Sequence, residues 1–596
     1  MVTGAFLLLA AACTKKLDEN PYTVFSVEYF KTPAGYQNGI NALYSGMRFL
    51  YGPEGAVGIG VDGTDEWTYA EQPRNGAGGT ADYLTLGNYT LDFANGAILT
   101  PWNRSYNNIN LANAIVDLAP EVPLPDEQKN VMLGEARFLR ALYYLNLVQQ
   151  FGAVPLDLGS GDLKFNQTAF DGFNRLPMAE LLVKNYQAII DDLTFASQNL
   201  PDKRPANAFK LSKAAAYHLL AKAYLHRAYS AAQQGTDFNS ASTAAMQVIN
   251  NQALYGVALQ QDYAAVHRAG NDYNSEILFS IERVPGDFNA NEVGNPTSIG
   301  GGKGIDAHND FQGDYTSVRA PLASSTTQPC GTRAVPYGRP IRRFCPTAWT
   351  YFTAFNDKEN DSRYDGSFRT FYIATQTGGG FTAGVDTAFV LAHTDRIADS
   401  LNGISPAGPR LKPYRVIAPR EFYIIGGTTD VNITRNFYPS LSKYEDPANL
   451  AANNQATRPF VVSKLSEVYL IAAEAAMAQG RTADAMDLIN VLKLRAAYRP
   501  GLTPAQVQTR YEAIRVTNAA SINLDFILDE RTRELCGEST RWPDLAVRGK
   551  LVERVRAFNP DGAANIQPFH VLRPIPKGQL DAVSDPNKAQ YQNPGY

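Results

Sequence analysis

The stretch 463-SKLSEVYLIAAEAAMAQGRTADAMDLINVLKLRAA-497 carries the sequence argument for the fold. Leu465, Val468, Tyr469, Ala472 and Ala476 fall on one face of a 3.6-residue period; Ala485, Leu488, Ile489 and Leu492 fall on one face of the next. Gly480 stands between them, where a left-handed residue ends a helix without a Cβ clash. The reading is two helices, 463–479 and 482–497, joined by a short turn and packed through small, Ala-rich faces.

The same pattern recurs outward from this pair. Residues 36–50 place Ile40, Leu43, Tyr44, Met47 and Leu50 on one face. Residues 102–118 read as a helix opened by Pro101, and 127–150 as another that stops at Phe151-Gly152. Further helices are expected over 177–199, over 211–232 with Ser212 as N-cap, over 239–251 and over 524–540. Successive helix pairs with small crossing faces are the pattern of tetratricopeptide-type repeats, here degenerate because the period is irregular; an ordinary all-α bundle is the alternative. Residues 266–460 break the pattern, being rich in Gly, Pro, Asn, Asp and aromatic residues, and 52–100 share that character. Ile277–Ile281 reads as a buried strand, with short strands expected near 369–375, 386–392 and 421–425. The expected organisation is a helix-pair scaffold over 21–265 and 461–596 with a loop-rich, ligand-side insertion over 266–460.

Composition narrows the function. The 596 residues carry a formal charge of −4, so no basic excess exists to drive binding to nucleic acid. With 44% apolar and only 19% charged residues, most of the chain is expected to fold. The run Ala5–Ala12 has the length of a signal-peptide core and is too short to cross a bilayer. It ends in Ala10-Ala11-Ala12-Cys13, which resembles a bacterial lipobox, although Ala10 stands where Leu is usual and no Lys or Arg precedes the run. The expectation is a signal peptide over 1–12, lipidation at Cys13 and a polar tether over 13–20; a buried N-terminal strand or helix start is the alternative. Cys330 and Cys345 are either a disulfide or two thiols, and Cys536 is a small buried apolar residue.

Catalytic signatures are missing. No HExxH, CxxC or GxSxG occurs, and Gly300–Gly304 has Gly after the Lys where a phosphate loop needs Ser or Thr. No cofactor and no metal site are expected. The best polar-aromatic cluster is Asp62, Asp65, Glu66, Trp67, Tyr69 and Arg74, with Trp102 and Asn103 beside it at a helix start. Flat aromatic faces next to Asp, Asn and Arg suit a sugar, whose C–H faces stack and whose hydroxyls hydrogen-bond. The competing readings are a loop anchored by a buried Trp67, and catalysis by paired carboxylates, which needs an acid in an apolar pocket. A second such stretch, Asn309–Tyr315, offers Phe311 and Tyr315 or is a plain surface loop, whereas Trp349, Tyr351, Phe352 and Phe355 have core-like spacing. Arg531, Glu534, Glu538, Arg541 and Asp544 read as a structural ion network, with an active site as the alternative.

Several of these segments are similar to one family. Leu528–Glu538 followed by Arg541-Trp542-Pro543-Asp544-Leu545, and the ending Leu572-Arg573-Pro574-Ile575-Pro576 with Gln592–Tyr596, resemble the shared C-terminal motifs of the SusD/RagB family. Glu135–Ala141, Phe151-Gly152 with Val154-Pro155, Trp102 with Tyr106, Ile109, Ala112 and Asn113, and Glu467–Leu470 with Ala473–Ala475 extend the resemblance along the mature chain. It implies a mainly α fold of four tetratricopeptide-like helix pairs with loop-rich insertions, forming one domain over 21–596. It also implies a surface-exposed outer-membrane lipoprotein of Bacteroidetes type, anchored through Cys13, that sits as a lid on a SusC-like TonB-dependent transporter. Such a protein captures oligosaccharide or polysaccharide, or in some members peptide, without chemistry; a surface glycosidase is the alternative from another class. No shared motif assigns the ligand residues, so Asp65, Trp67, Tyr69, Arg74, Trp102, Asn103, Phe311 and Tyr315 rest on composition and location.

Overall fold

Local chemistry sets the helix ends. The Asn95 side chain accepts the Ala97 N–H at 2.9 Å, so its helix begins at Gly96 and carries Pro101 inside it rather than at its start. The expected helix over 524–540 ends at Leu535, because Gly537 and Ser539 turn left-handed at φ +73° and +59°. The computed structural model describes residues 27–71, 81–159, 177–298, 302–322, 324–402, 413–422 and 435–596. The expected signal peptide, Cys13 with its tether, and Arg74 lie outside them.

Eight helices form the scaffold: α1 Pro33–Gly46, α2 Gly96–Leu118, α3 Asp126–Phe151, α4 Met178–Asn199, α5 Lys213–Tyr229, α6 Asp237–Asn250, α7 Leu465–Ala478 and α8 Thr482–Ala496. From α2 onward each packs on the next, while α1 lies against α2 and α3. The row is unbroken between α6 and α7, although more than 200 residues separate them. Small residues permit the close approach. Ala241, Ala245, Ala472, Ala473 and Ala475 are fully buried, and a Cβ on Gly134 of α3 would sit 3.2 Å from Leu200 at the end of α4.

Among the described residues seven short strands accompany the helices: β1 Trp67–Tyr69, β2 Ile277–Ile281, β3 Phe344–Pro346, β4 Phe371–Ile373, β5 Thr387–Leu391, β6 Arg415–Ile417 and β7 Phe460–Lys464. β2 pairs antiparallel with β7, Ile281 opposite Phe460, so the two ends of the insertion leave the scaffold side by side. That ribbon fixes the loop closure at its base, and α7 follows β7 directly. β1 pairs antiparallel with β3, and β4-β5-β6 form a small mixed sheet. The strand expected near 421–425 is instead β6, six residues earlier. Pro419–Glu421 is a 3₁₀ turn, capped where Glu421 Oε1 accepts the Ala418 N–H at 2.8 Å. Residues 423–425 lie outside the described residues. Sequence periodicity also missed several shorter helices, among them Glu54–Val61, Pro504–Ile514, Arg541–Val547 and Leu551–Phe558.

Three further helices, α9 Leu524–Leu535, α10 Arg541–Val547 and α11 Leu551–Phe558, carry a buried ion network that reaches both parts. Arg531 meets Asp544 at 2.7 Å and Glu467 of α7 at 3.0 Å. Glu534 meets Arg495 of α8 at 2.5 Å, and Glu538 meets Lys443 and Lys464 at 2.6 and 2.7 Å. Burial works against the Glu534 charge, but Arg495, Lys464 and Arg363 outweigh it and hold its carboxyl down at about 2.

Candidate ligand-binding face

Four segments far apart in sequence meet at one place: 67–71, 309–317, 333–346 and 435–438. Beyond the β1–β3 pairing, Ala70 N–H donates to Arg343 O at 2.7 Å and Glu71 N–H to Arg435 O at 3.0 Å. Asp314 N–H donates to Asn436 O at 2.6 Å, while Arg342 and Arg343 donate to Gln312 O and Asp310 O at 3.2 and 2.9 Å. The two polar-aromatic stretches singled out by sequence are therefore neighbours: the Trp67 and Phe311 rings lie 4.6 Å apart, edge to face.

They meet in the interior, which corrects the expectation that these aromatics offer open faces. Trp67 is 0% exposed, covered by Phe311 and by Phe368 at 6.0 Å, so it is the buried anchor of the competing reading. Phe311 and Tyr315 are 0% exposed as well. Trp102 is buried edge-on against Phe151, and its Nε1–H donates to Gln579 Oε1 at 3.2 Å; Asn103 beside it is exposed. Asp65 is buried between two guanidiniums, Arg541 at 2.6 Å and Arg554 at 2.5 Å. Burial raises its carboxyl, but the two cations together overcome that and hold it below the usual range. For Glu66 burial wins over Arg541, with Asp65 adding to it, and its carboxyl is pushed up to about 7. One ionised and one neutral-leaning carboxyl side by side is a catalytic pattern, yet both are enclosed. Tyr69 alone of the expected aromatics is half-exposed; its hydroxyl lies 3.3 Å from Asp561 Oδ1 and its ring 4.8 Å under Arg435.

The buried residues hold something else in place. Tyr315 Oη donates to Gly338 O at 2.7 Å and accepts the Ala334 N–H at 3.2 Å. Asn309 Oδ1 accepts the Arg339 N–H at 2.8 Å. Gly338 sits at φ +70°, and a Cβ there would lie 2.6 Å from the His308 ring, so the loop passes close over the 308–315 stretch. That loop is Arg333-Ala-Val-Pro-Tyr-Gly-Arg339-Pro-Ile-Arg342-Arg343, four arginines without an acid. Arg342, at φ +60°, directs its guanidinium to Asn436 Oδ1, with Asp314 at 3.9 Å. Arg343 turns inward to Glu54. Tyr69, Asp314, Arg342, Asn436 and Phe437 form the half-exposed part of the face. Sequence reasoning passed over Arg333, Arg339, Arg342 and Asn436, although the acid-free arginine window was legible.

Cys330 and Cys345 are separate buried thiols, the first 3.3 Å from Ile373 O and the second 3.7 Å from Tyr69 O, so of the two open readings the structure has the two thiols and not the disulfide. Among the described residues no group of three or more His, Cys, Asp or Glu is arranged to hold a metal ion, and no helix is long and apolar enough to cross a membrane.

Residues 337–596 match the model of the SusD family, and residues 62–225 match a second, SusD-like model described as "Starch-binding associating with outer membrane". The chain is 26% identical to "SusD-like protein P2" of Formosa agariphila over 610 aligned residues, covering 100% of this chain and 99% of that one. It is similar in structure to a "Laminarin binding SusD-like protein", with 21% identity, a TM-score of 0.62 and coverage of 95% and 100%. It is also similar to surface glycan-binding protein A from Bacteroides thetaiotaomicron in complex with laminarihexaose, with 15% identity, a TM-score of 0.60 and coverage of 94% and 99%.

Proposed function

This chain belongs to the SusD/RagB family, and we propose that it is a non-catalytic, lipid-anchored cell-surface protein that captures oligosaccharide or polysaccharide. It hands that glycan to a SusC-like TonB-dependent transporter in the outer membrane. The observation that carries this reading is likeness over 94–95% of this chain to proteins named for glycan binding. The geometry supports capture rather than cleavage. Half-exposed Tyr69, Asp314, Arg342 and Asn436 offer hydroxyl, carboxylate, guanidinium and amide groups to sugar hydroxyls. The adjacent carboxyls Asp65 and Glu66 are walled off from any glycosidic oxygen.

The test is electrophoresis of the purified protein through gels containing single polysaccharides, followed by chain-length analysis of each glycan. Retardation with the glycan left intact is expected. Shortened glycan overturns the non-catalytic reading. Capture of a TonB-dependent barrel when the protein is purified from outer membranes tests the partner, and loss of membrane association in Cys13→Ala tests the anchor.

A further inference from the structure

Two of the four guanidiniums of the arginine loop, those of Arg333 and Arg339, have no ion-pair partner among the described residues. Arg343 is paired inward with Glu54, near Asp306 and Asp310, and Arg342 has Asn436 and the more distant Asp314. Arg333 is exposed and donates to a neutral group, Asn453 Oδ1, at 2.9 Å. Arg339 is half-buried, and among the described residues no carboxylate lies within ion-pair distance of it. Its backbone N–H is held by Asn309 Oδ1 at 2.8 Å. A guanidinium held partly out of water beside like charges is costly unless an anion completes it. Burial and the neighbouring Arg333 and Arg343 weaken its hold on a proton, and the opposing pull of Glu54, which is itself paired with Arg343, does not make up for them. Guanidinium is the side chain whose planar donor fork matches a carboxylate or a sulfate ester.

Building on the glycan-capture reading, we propose that this face takes an anionic glycan, with Arg339 and Arg333 receiving carboxylate or sulfate-ester groups and Tyr315 positioning the loop that carries them. The neutral part of the chain then lies over Tyr69, Asn436 and Phe437. Among the described residues neither arginine forms an ion pair, and Glu54, which acts on Arg339 from farther off, is paired with Arg343, so replacing both with Gln strands no buried acid and the fold is expected to persist.

The test runs the purified protein through gels of polygalacturonate (carboxylate only), dextran sulfate (sulfate only) and laminarin (neutral). Retardation by polygalacturonate or dextran sulfate, weakened by added salt, is expected, and the two gels separate the two anion chemistries. In Arg333→Gln/Arg339→Gln the affinity for the retarding polymer falls at least about tenfold, while Arg268→Gln, on another surface, changes nothing. Retardation by laminarin alone, unaltered in the double variant, overturns the anionic inference and leaves glycan capture standing. Equal loss in Arg268→Gln overturns the assignment of the site, since it marks unspecific attraction. Retardation by none of the three overturns the inference, and the glycan reading then stands or falls on the wider panel.

Discussion

Replacing Trp67 with alanine separates the anchor reading from the ligand-platform reading. The side chain is wholly buried, against Phe311 and Phe368. A tryptophan buries about 150–250 Å², and at about 25 cal/mol per Å² its removal costs about 4–6 kcal/mol. Truncations of this kind measure about 3–5 kcal/mol, since the cavity collapses in part. Its Nε1–H has no hydrogen-bond partner among the described residues, so no such bond is lost with the ring and the estimate stays at about 4 kcal/mol. Trp67→Phe keeps an aromatic edge for Phe311 and costs about 1–2 kcal/mol. The assay is guanidinium unfolding followed by circular dichroism and by fluorescence, with the two curves compared for coincidence. The expected order of stability is wild type, then Trp67→Phe, then Trp67→Ala, with glycan affinity altered only as far as folding is. An alanine variant as stable as wild type that has lost glycan binding would refute the packing argument and return Trp67 to the ligand face.

Asp65→Ala leaves Arg541 and Arg554 buried without their shared partner, and a loss of about 3–5 kcal/mol is expected in the same unfolding assay, little altered by salt. Glu66→Gln tests the sign of a raised carboxyl. The folded value of about 7 stands above the ordinary 4.5, so the stabilising contribution is present in full below 4.5 and is lost as pH rises through 7. The variant escapes that loss. Its stability relative to wild type is therefore expected to climb between pH 5 and 8, by on the order of 3 kcal/mol; a difference independent of pH contradicts the assignment. Tyr315→Phe removes the hydroxyl shared by Gly338 O and Ala334 N–H, at a cost of about 1–3 kcal/mol. Because it frees the arginine loop, its affinity for anionic glycan is expected to drop in a fully folded sample, read by the gel series above.

The scaffold was legible because long amphipathic helices announce themselves within their own sequence. α3, α4, α7 and α8 lie within a few residues of their expected spans. The row of helices was not legible past α6, because the contact of α6 with α7 depends on a ribbon closing over residues 282–459. β1 and β3 were missed for a related reason: three residues carry no period, and each strand is defined by a partner nearly 280 residues away. The face shows the sharper limit. Aromatic residues next to Asp, Asn and Arg describe a sugar platform and a packed anchor equally well. What decides between them is whether Phe311, Phe368 and Gly338 lie on top. The arginine window needed no such partner to be seen, since an acid-free run of four arginines is a property of the local sequence.

The face depends on a small number of buried charge pairs more than on its own strands. β1 and β3 share only three residue pairs, too few to fix one register by themselves. Asp65, two residues before β1, is clasped by Arg541 and Arg554 from α10 and α11; Thr68 and Tyr69 meet Asp561, which also pairs with Arg435 at 2.6 Å. A docking shifted by one residue turns Trp67 out of the core, strands the Asp65 carboxylate and takes from Arg541 its nearest partner, while Arg554 keeps Asp525 and Asp529. Each stranded charge costs several kcal/mol, more than a three-residue strand can recover from any new pairing. An apolar contact of equal area tolerates sliding, because dispersion is not directional. Ion pairs at both ends of β1 therefore fix the 309–317 and 333–346 segments relative to the helices. The arginines of the loop then meet a ligand from a preset position rather than being ordered by it, which lowers the entropy lost on binding.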